Sequence, residues 1–137
     1  MVQLIQWRDG LSVGHPMIDA DHRVLVDMLN ALLESLLDNQ SNEILASSLD
    51  GLMDYARSHF AREEAEMRAS AYPDSAAHFR EHGEFNRQIG VFKARFDAGD
   101  TMLTLGVMKF LRNWLTDHIL TVDKRLAGYL NGIGEQH

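Results

Sequence analysis

His59-Phe-Ala-Arg-Glu63-Glu-Ala-Glu-Met67, a break at Ala71-Tyr72-Pro73, then His78-Phe-Arg-Glu-His82: this stretch decides how the rest of the chain is read. It holds two pairs spaced by four, His59 with Glu63 and His78 with His82. On an α-helix, residues four apart lie one above the other on the same face. Each helix can therefore offer two donor atoms to one point in space. Imidazole and carboxylate together suit a borderline ion such as iron, manganese or zinc better than calcium.

The pattern continues on both sides. Before the stretch, Ile18, His22, Leu25, Leu29, Leu32 and Leu36 alternate in steps of four and three, the mark of a buried helical face. Asp19 is a reasonable N-cap for that helix. The second stripe is Leu45, Leu49, Leu52, Ala56, His59, Glu63 and Met67, and it must stop before Pro73. Asp74 is placed to cap a third helix with the stripe His78, His82, Phe85, Ile89, Phe92 and Phe96. Thr101 is placed to cap a fourth, with Leu103, Val107, Leu111, Trp114, His118 and Val122. The spacing predicts helices over about 19–37, 42–69, 74–97 and 101–127. Residues 1–17 read as an irregular arm, broken by Gly10, Gly14 and Pro16, with Trp7 packed on the body. His15 reads as an ordinary loop histidine. Long helices on short loops imply antiparallel neighbours, so the expected fold is all-α: an up-down-up-down antiparallel four-helix bundle in a single domain over 1–137.

Composition sets limits. Net charge is −7, from 13 basic and 20 acidic residues, with no basic cluster, which argues against a nucleic-acid partner. The chain has no cysteine, which removes disulfides and thiol chemistry. The richest apolar run, Val24 to Leu37, is broken by Asp27, Asn30 and Glu34, so no membrane insertion is expected. No signal-peptide pattern opens the chain, so the expected compartment is the cytosol; the expected state is a monomer. His137 has no expected role.

All four stripes share an anomaly: each carries histidine or carboxylate where an apolar residue belongs. In an up-down-up-down bundle, the starts of helices one and three are level with the ends of two and four. His22, His59, Glu63, His78, His82, His118 and Asp123 therefore converge on one level. Left unpaired there, each would cost on the order of 1–3 kcal/mol, and a charged one more. Metal coordination satisfies them together; the competing reading is a buried histidine–carboxylate hydrogen-bond network. Asp123 follows His118 by five. In a regular helix that is about 140° past a full turn, so the two do not stack like the other pairs, although a wide two-ion cluster would still let them meet.

The sequence resembles the hemerythrin family, in particular its single-domain bacterial members. The resemblance rests on Trp7, Val13-Gly14, Ile18-Asp19-Ala20-Asp21-His22, the run His59 to Met67, Tyr72-Pro73, His78-x-x-x-His82, Phe85, and Trp114-Leu115-Thr-Asp-His118-Ile119 with Asp123. It covers essentially the whole chain. It implies a non-haem di-iron centre in which His78, His82 and His118 hold one iron and His22 and His59 the other. Glu63, Asp123 and an oxo or hydroxo oxygen would bridge them. That donor set leaves one position open, on the iron with two histidines, and in the family it takes up dioxygen reversibly. The expected apolar neighbours of that position are Phe60, Met67, Trp114, Leu115 and Ile119, which close it to water.

The resemblance departs at Asp21, where glutamine is common in bacterial members. That change is expected to alter hydrogen bonding around the ligands and leave ligation intact. Glu64 and Glu66 read as a solvated helix face. The expected function is reversible dioxygen binding for transport, storage or local supply, without catalysis. The alternatives are oxygen or redox sensing through a separate partner, and di-iron redox enzymology such as peroxidase or nitric-oxide scavenging. Ferritin-like oxidases rely mostly on carboxylates and Glu-x-x-His spacing, whereas histidine dominates here at spacing four.

Overall fold

The computed structural model describes residues 4–135. His137 falls outside them. Four long helical rods form an antiparallel bundle: α1 (Pro16–Leu37), α2 (Asn42–Ser70), α3 (Ser75–Asp97), and a fourth rod made of α4 (Leu105–Asp117), a π-helical segment (His118–Asp123) and α5 (Lys124–Glu135). α1 packs on α2 and α4, and α2 on α3. No helix among the described residues is long and apolar enough to cross a membrane.

The helix starts follow local chemistry, with two corrections to the sequence reading. α1 begins at Pro16, earlier than expected, because proline suits the first helical position and His15 supplies the cap: its Nδ1 accepts from the Ile18 amide at 3.4 Å. Asp19, expected as the cap, instead accepts from Ser12 Oγ at 2.6 Å and the Val13 amide at 2.8 Å, pinning the arm to the helix. α4 begins at Leu105 rather than near 101, because the Thr104 hydroxyl, not Thr101, accepts from the Val107 amide. Ser41 caps α2 in the same way, and α2 ends with Ala71 in the left-handed region before Pro73. Asp74 sits at the N-cap of α3, but its side chain makes no capping bond.

The start of the arm is held by a further polar residue of α1. Asn30 accepts from the amides of Leu4 and Ile5 and donates to the Ile5 carbonyl. This places Ile5 and Leu11 in the core, and Trp7 packs against that core beneath the Arg23 guanidinium. Each predicted stripe faces inward, but the core divides in two. The larger cluster runs from Leu25, Phe60, Phe85 and Leu111 toward the α1–α2 and α3–α4 loops; the smaller holds Val13, Ile18, Met67, Tyr72, Ile119, Leu126 and Ala127. Leu115 touches both.

Candidate metal centre

A polar layer lies between the two apolar clusters. Lys93 apart, every buried polar or charged side chain among the described residues belongs to it: Asp21, His22, His59, Glu63, His78, His82, His118 and Asp123. The structure thus brings together all seven residues singled out as ligand candidates, and Glu63, His22 and Asp123 are 0% exposed.

The donor atoms fall into two groups that share both carboxylates: Glu63, His78, His82, His118 and Asp123 in one, His22, His59, Glu63 and Asp123 in the other. Within each group the atoms lie within 4.8 Å of one another. Each carboxylate divides its oxygens between the groups. Glu63 Oε1 lies 3.0 Å from His82 Nε2 and 3.4 Å from His78 Nε2, while its Oε2 lies 3.4 Å from His59 Nε2. Asp123 Oδ1 lies 3.0 Å from His118 Nε2 and 3.1 Å from His78 Nε2, while its Oδ2 lies 2.8 Å from His22 Nε2.

These short approaches are charge contacts without hydrogen-bond geometry. The Nε2 atoms of all five histidines and all four carboxylate oxygens are buried and lack a hydrogen-bond partner. Nitrogen and oxygen atoms therefore converge on two points with no hydrogen bond joining them. Nitrogen and oxygen donors in this number suit a first-row transition metal. The donor set fits two ions bridged by carboxylate, and fits a self-satisfied hydrogen-bond network poorly.

The opposite ring nitrogens show how the histidines are aimed. His59 Nδ1 pairs with Asp21 Oδ2 at 2.9 Å, His82 Nδ1 with Glu64 Oε2 at 3.0 Å, and His118 Nδ1 with Glu81 Oε1 at 3.0 Å. An ionised carboxylate only accepts, so Nδ1 carries the proton in each pair and Nε2 is left to face the centre. The three carboxylates follow one rule. Each is a sequence neighbour of a ligand candidate on its own helix and serves the histidine of the next: Asp21 beside His22 serves α2, Glu64 beside Glu63 serves α3, and Glu81 beside His82 serves His118. The sequence reading placed Glu64 on a solvated face. The structure corrects this: one residue turns the side chain about 100° off the stripe, which aims it at the neighbouring helix rather than at water. Glu66 is exposed. Asp21 was read as altering hydrogen bonding around the ligands, and it does so through His59; Glu81, and Tyr55 and Arg62 around Asp21, were not read as site residues. The available signal was a carboxylate flanking a ligand candidate on the side of the next helix.

Electrostatics show that the layer calls for positive charge. Burial works against protonated histidine, yet the Asp21 hydrogen bond and the nearby Glu63 raise His59 to about 9. Burial also opposes protonation of His118, but Asp123 and Glu81 raise it to about 10. His78 is raised by Asp123 and Glu63 against the same penalty. Glu63 is penalised by burial and by Asp123, and the surrounding histidines still hold it down at about 2. Asp123 falls well below the usual carboxylate range, its burial outweighed by His118, His22 and His78. Two buried carboxylates thus favour protons on His59, His78 and His118 wherever no other cation is present, and metal ions would compete for the same places.

The apolar surround is asymmetric. Phe60 stacks on His82 with ring centroids 3.9 Å apart, and Trp114 on His118 at 4.5 Å, so both wall the three-histidine group. Met67 and Ile119, each 1% exposed, lie in the smaller cluster on the other side of the layer. Against Phe60, Trp114 and Leu115 lies a cavity of ≈ 30 Å³ lined throughout by apolar side chains, Leu25, Leu29 and Phe85 among them. Its lining offers water no hydrogen-bonding partner.

Fold and donor arrangement together define a four-helix bundle built around two buried histidine groups that share two carboxylates. Residues 13–130 match the Hemerythrin HHE cation binding domain, and the chain belongs to the hemerythrin family. It is 33% identical to the bacteriohemerythrin of Stenotrophomonas maltophilia (strain R551-3), over 98% of this chain and 89% of that protein. With the bacteriohemerythrin of Methylococcus capsulatus it shares 36% identity over 84% of this chain and 86% of the relative. A crystal structure of wild-type hemerythrin superposes with a TM-score of 0.88 at 30% identity, covering 93% of this chain and 98% of that one.

Proposed function

We propose that this chain binds dioxygen reversibly at a non-haem di-iron centre, for oxygen transport, storage or local supply. The observation that carries this reading is the division of the Glu63 and Asp123 oxygens between a three-histidine and a two-histidine group, inside a layer closed above and below by apolar residues. His78, His82 and His118 would hold one iron, His22 and His59 the other, and Glu63 and Asp123 would bridge them. Two ferrous ions held by these residues would supply the electron pair that reversible dioxygen binding needs. The chain's own part is to hold, aim and exclude. The carboxylates on Nδ1 of His59, His82 and His118 keep Nε2 facing inward. Phe60, Trp114, Leu115, Met67 and Ile119 keep water from the centre, and with it the protons that would discharge the bound gas. Binding rather than turnover follows from that enclosure.

The test is stoichiometry. Protein produced with iron available should carry two irons per chain, and the reduced protein should take up one dioxygen per pair of irons by oximetry. Protein with no iron, or uptake of oxygen without any release under vacuum, would contradict the proposal.

A further inference from the structure

Resting on the di-iron reading, we propose that Asp21, clamped by Arg62 and Tyr55, is the positioning residue that sets how tightly and at what potential the ion of His22 and His59 is held. Three carboxylates reach ligand histidines, and Asp21 differs from the other two. Its Oδ2 accepts from His59 Nδ1 at 2.9 Å and from Arg62 Nε at 2.9 Å. Its Oδ1 accepts from Tyr55 OH at 3.0 Å and from Arg62 Nη2 at 3.0 Å. The two-point guanidinium fork fixes the plane of the carboxylate, and so the direction from which it meets the His59 ring. Arg62 in turn lies over the Tyr55 ring, 5.5 Å from its centroid. Glu64 has only a loose contact with Arg68 at 3.9 Å besides its histidine, and Glu81 is paired with His118 alone among the described residues. Asp21 is also the one of the three that is buried, at 7% exposure.

The clamp has two separable effects. A negative carboxylate on Nδ1–H makes Nε2 a stronger donor and favours the more oxidised metal. Arg62 and Tyr55 draw part of that negative charge away while holding the carboxylate still. Removing the charge and removing the clamp should therefore move the potential in opposite directions, whereas a merely structural cluster would move both variants the same way or neither.

The experiment measures iron release to a chelator and the midpoint potential of the iron-loaded protein. Asp21→Asn should raise the potential and speed the loss of one iron ten- to hundred-fold, leaving the second near the parent rate. Arg62→Met, whose side chain is 41% exposed, leaves the fold alone and should lower the potential, with a smaller gain in release. Arg62→Lys keeps the positive charge without the fork, so its potential should stay near the parent's while its iron release matches that of Arg62→Met. An unchanged potential in Arg62→Met, or shifts of the same sign in Asp21→Asn and Arg62→Met, would overturn the proposal. A parent protein holding no iron would overturn this proposal and the di-iron reading together, and iron content measured first separates the two.

Discussion

His118 Nε2 lies 3.0 Å from Asp123 Oδ1, although the two stand five positions apart in the sequence. A regular helix would set the two about 140° apart. The segment His118–Asp123 is π-helical, so each turn closes on the fifth residue and the pair stacks as the four-spaced pairs do on α2 and α3. The sequence reading kept the two together only by supposing a wide cluster. The backbone does it instead.

A wide turn behaves as one residue inserted into an α-helix. Deleting Leu120, which is 37% exposed, should return the rod to regular helix with the downstream register intact. Leu126 and Ala127 would stay in the core, the melting temperature would fall by a few degrees at most, and metal would still bind. Were the parent segment regular helix, the same deletion would swing Leu126 and Ala127 about 100° out of the core. Calorimetry and iron content on the deletion distinguish the two.

Glu63→Ala removes one oxygen from each histidine group and leaves the neighbouring imidazoles without their counter-charge. The expected result is loss of both ions and a stability loss of about 3–5 kcal/mol, the range for breaking a buried pair from one side. Denaturant unfolding with iron analysis checks it. A variant that kept two irons and the parent midpoint would remove Glu63 from the bridging role.

Leu115 joins the two apolar clusters at the level of the histidines. Leu115→Ala should enlarge the cavity there, admit water, and speed autoxidation of the oxygenated protein several-fold, for a stability cost of about 2 kcal/mol, the low end for a leucine only partly buried. The decay of the oxygenated absorption band measures the first effect. A decay rate equal to the parent's would take Leu115 out of the water-excluding wall.

The histidine protonations give a pH dependence with a definite sign. His59 at about 9 and His118 at about 10 lie above their ordinary value of 6.5. A group raised in the fold stabilises fully below its unfolded pKa, and that stabilisation is lost as pH climbs through the folded value. Metal-free protein should therefore lose melting temperature between pH 7 and roughly 10. Glu63, lowered from 4.5 to about 2, acts oppositely: its contribution is present above 4.5 and lost as pH falls toward 2. With iron bound, Nε2 would carry metal instead of a proton while Nδ1 keeps its own, and the alkaline loss should vanish. Equal alkaline slopes in chelator-treated and iron-loaded protein would contradict this.

Most of the bundle was legible because it rests on periodicity. Stripes such as Leu45, Leu49, Leu52 and Ala56 declare which face is buried, and polar intruders on such a face declare a site. What escaped depends on partners off the stripe. His15 and Thr104 became caps through single hydrogen bonds that neighbouring residues could equally have made. Asp21, Glu64 and Glu81 point at the next helix, a direction fixed by the packing angle between rods and invisible in one helix's own pattern. The π turn has no sequence signature beyond the awkward spacing of His118 and Asp123, and its cause is the whole centre: only a widened turn brings Asp123 to both histidine groups.

The most direct test is an optical cycle on the reduced protein. Iron-loaded protein is reduced without air, recorded, exposed to oxygen, and returned to vacuum. An absorption band should appear with oxygen, fade on its removal, and return over repeated cycles at two irons per chain. A band that forms once and decays irreversibly, or no band in protein carrying two irons, would contradict reversible dioxygen binding.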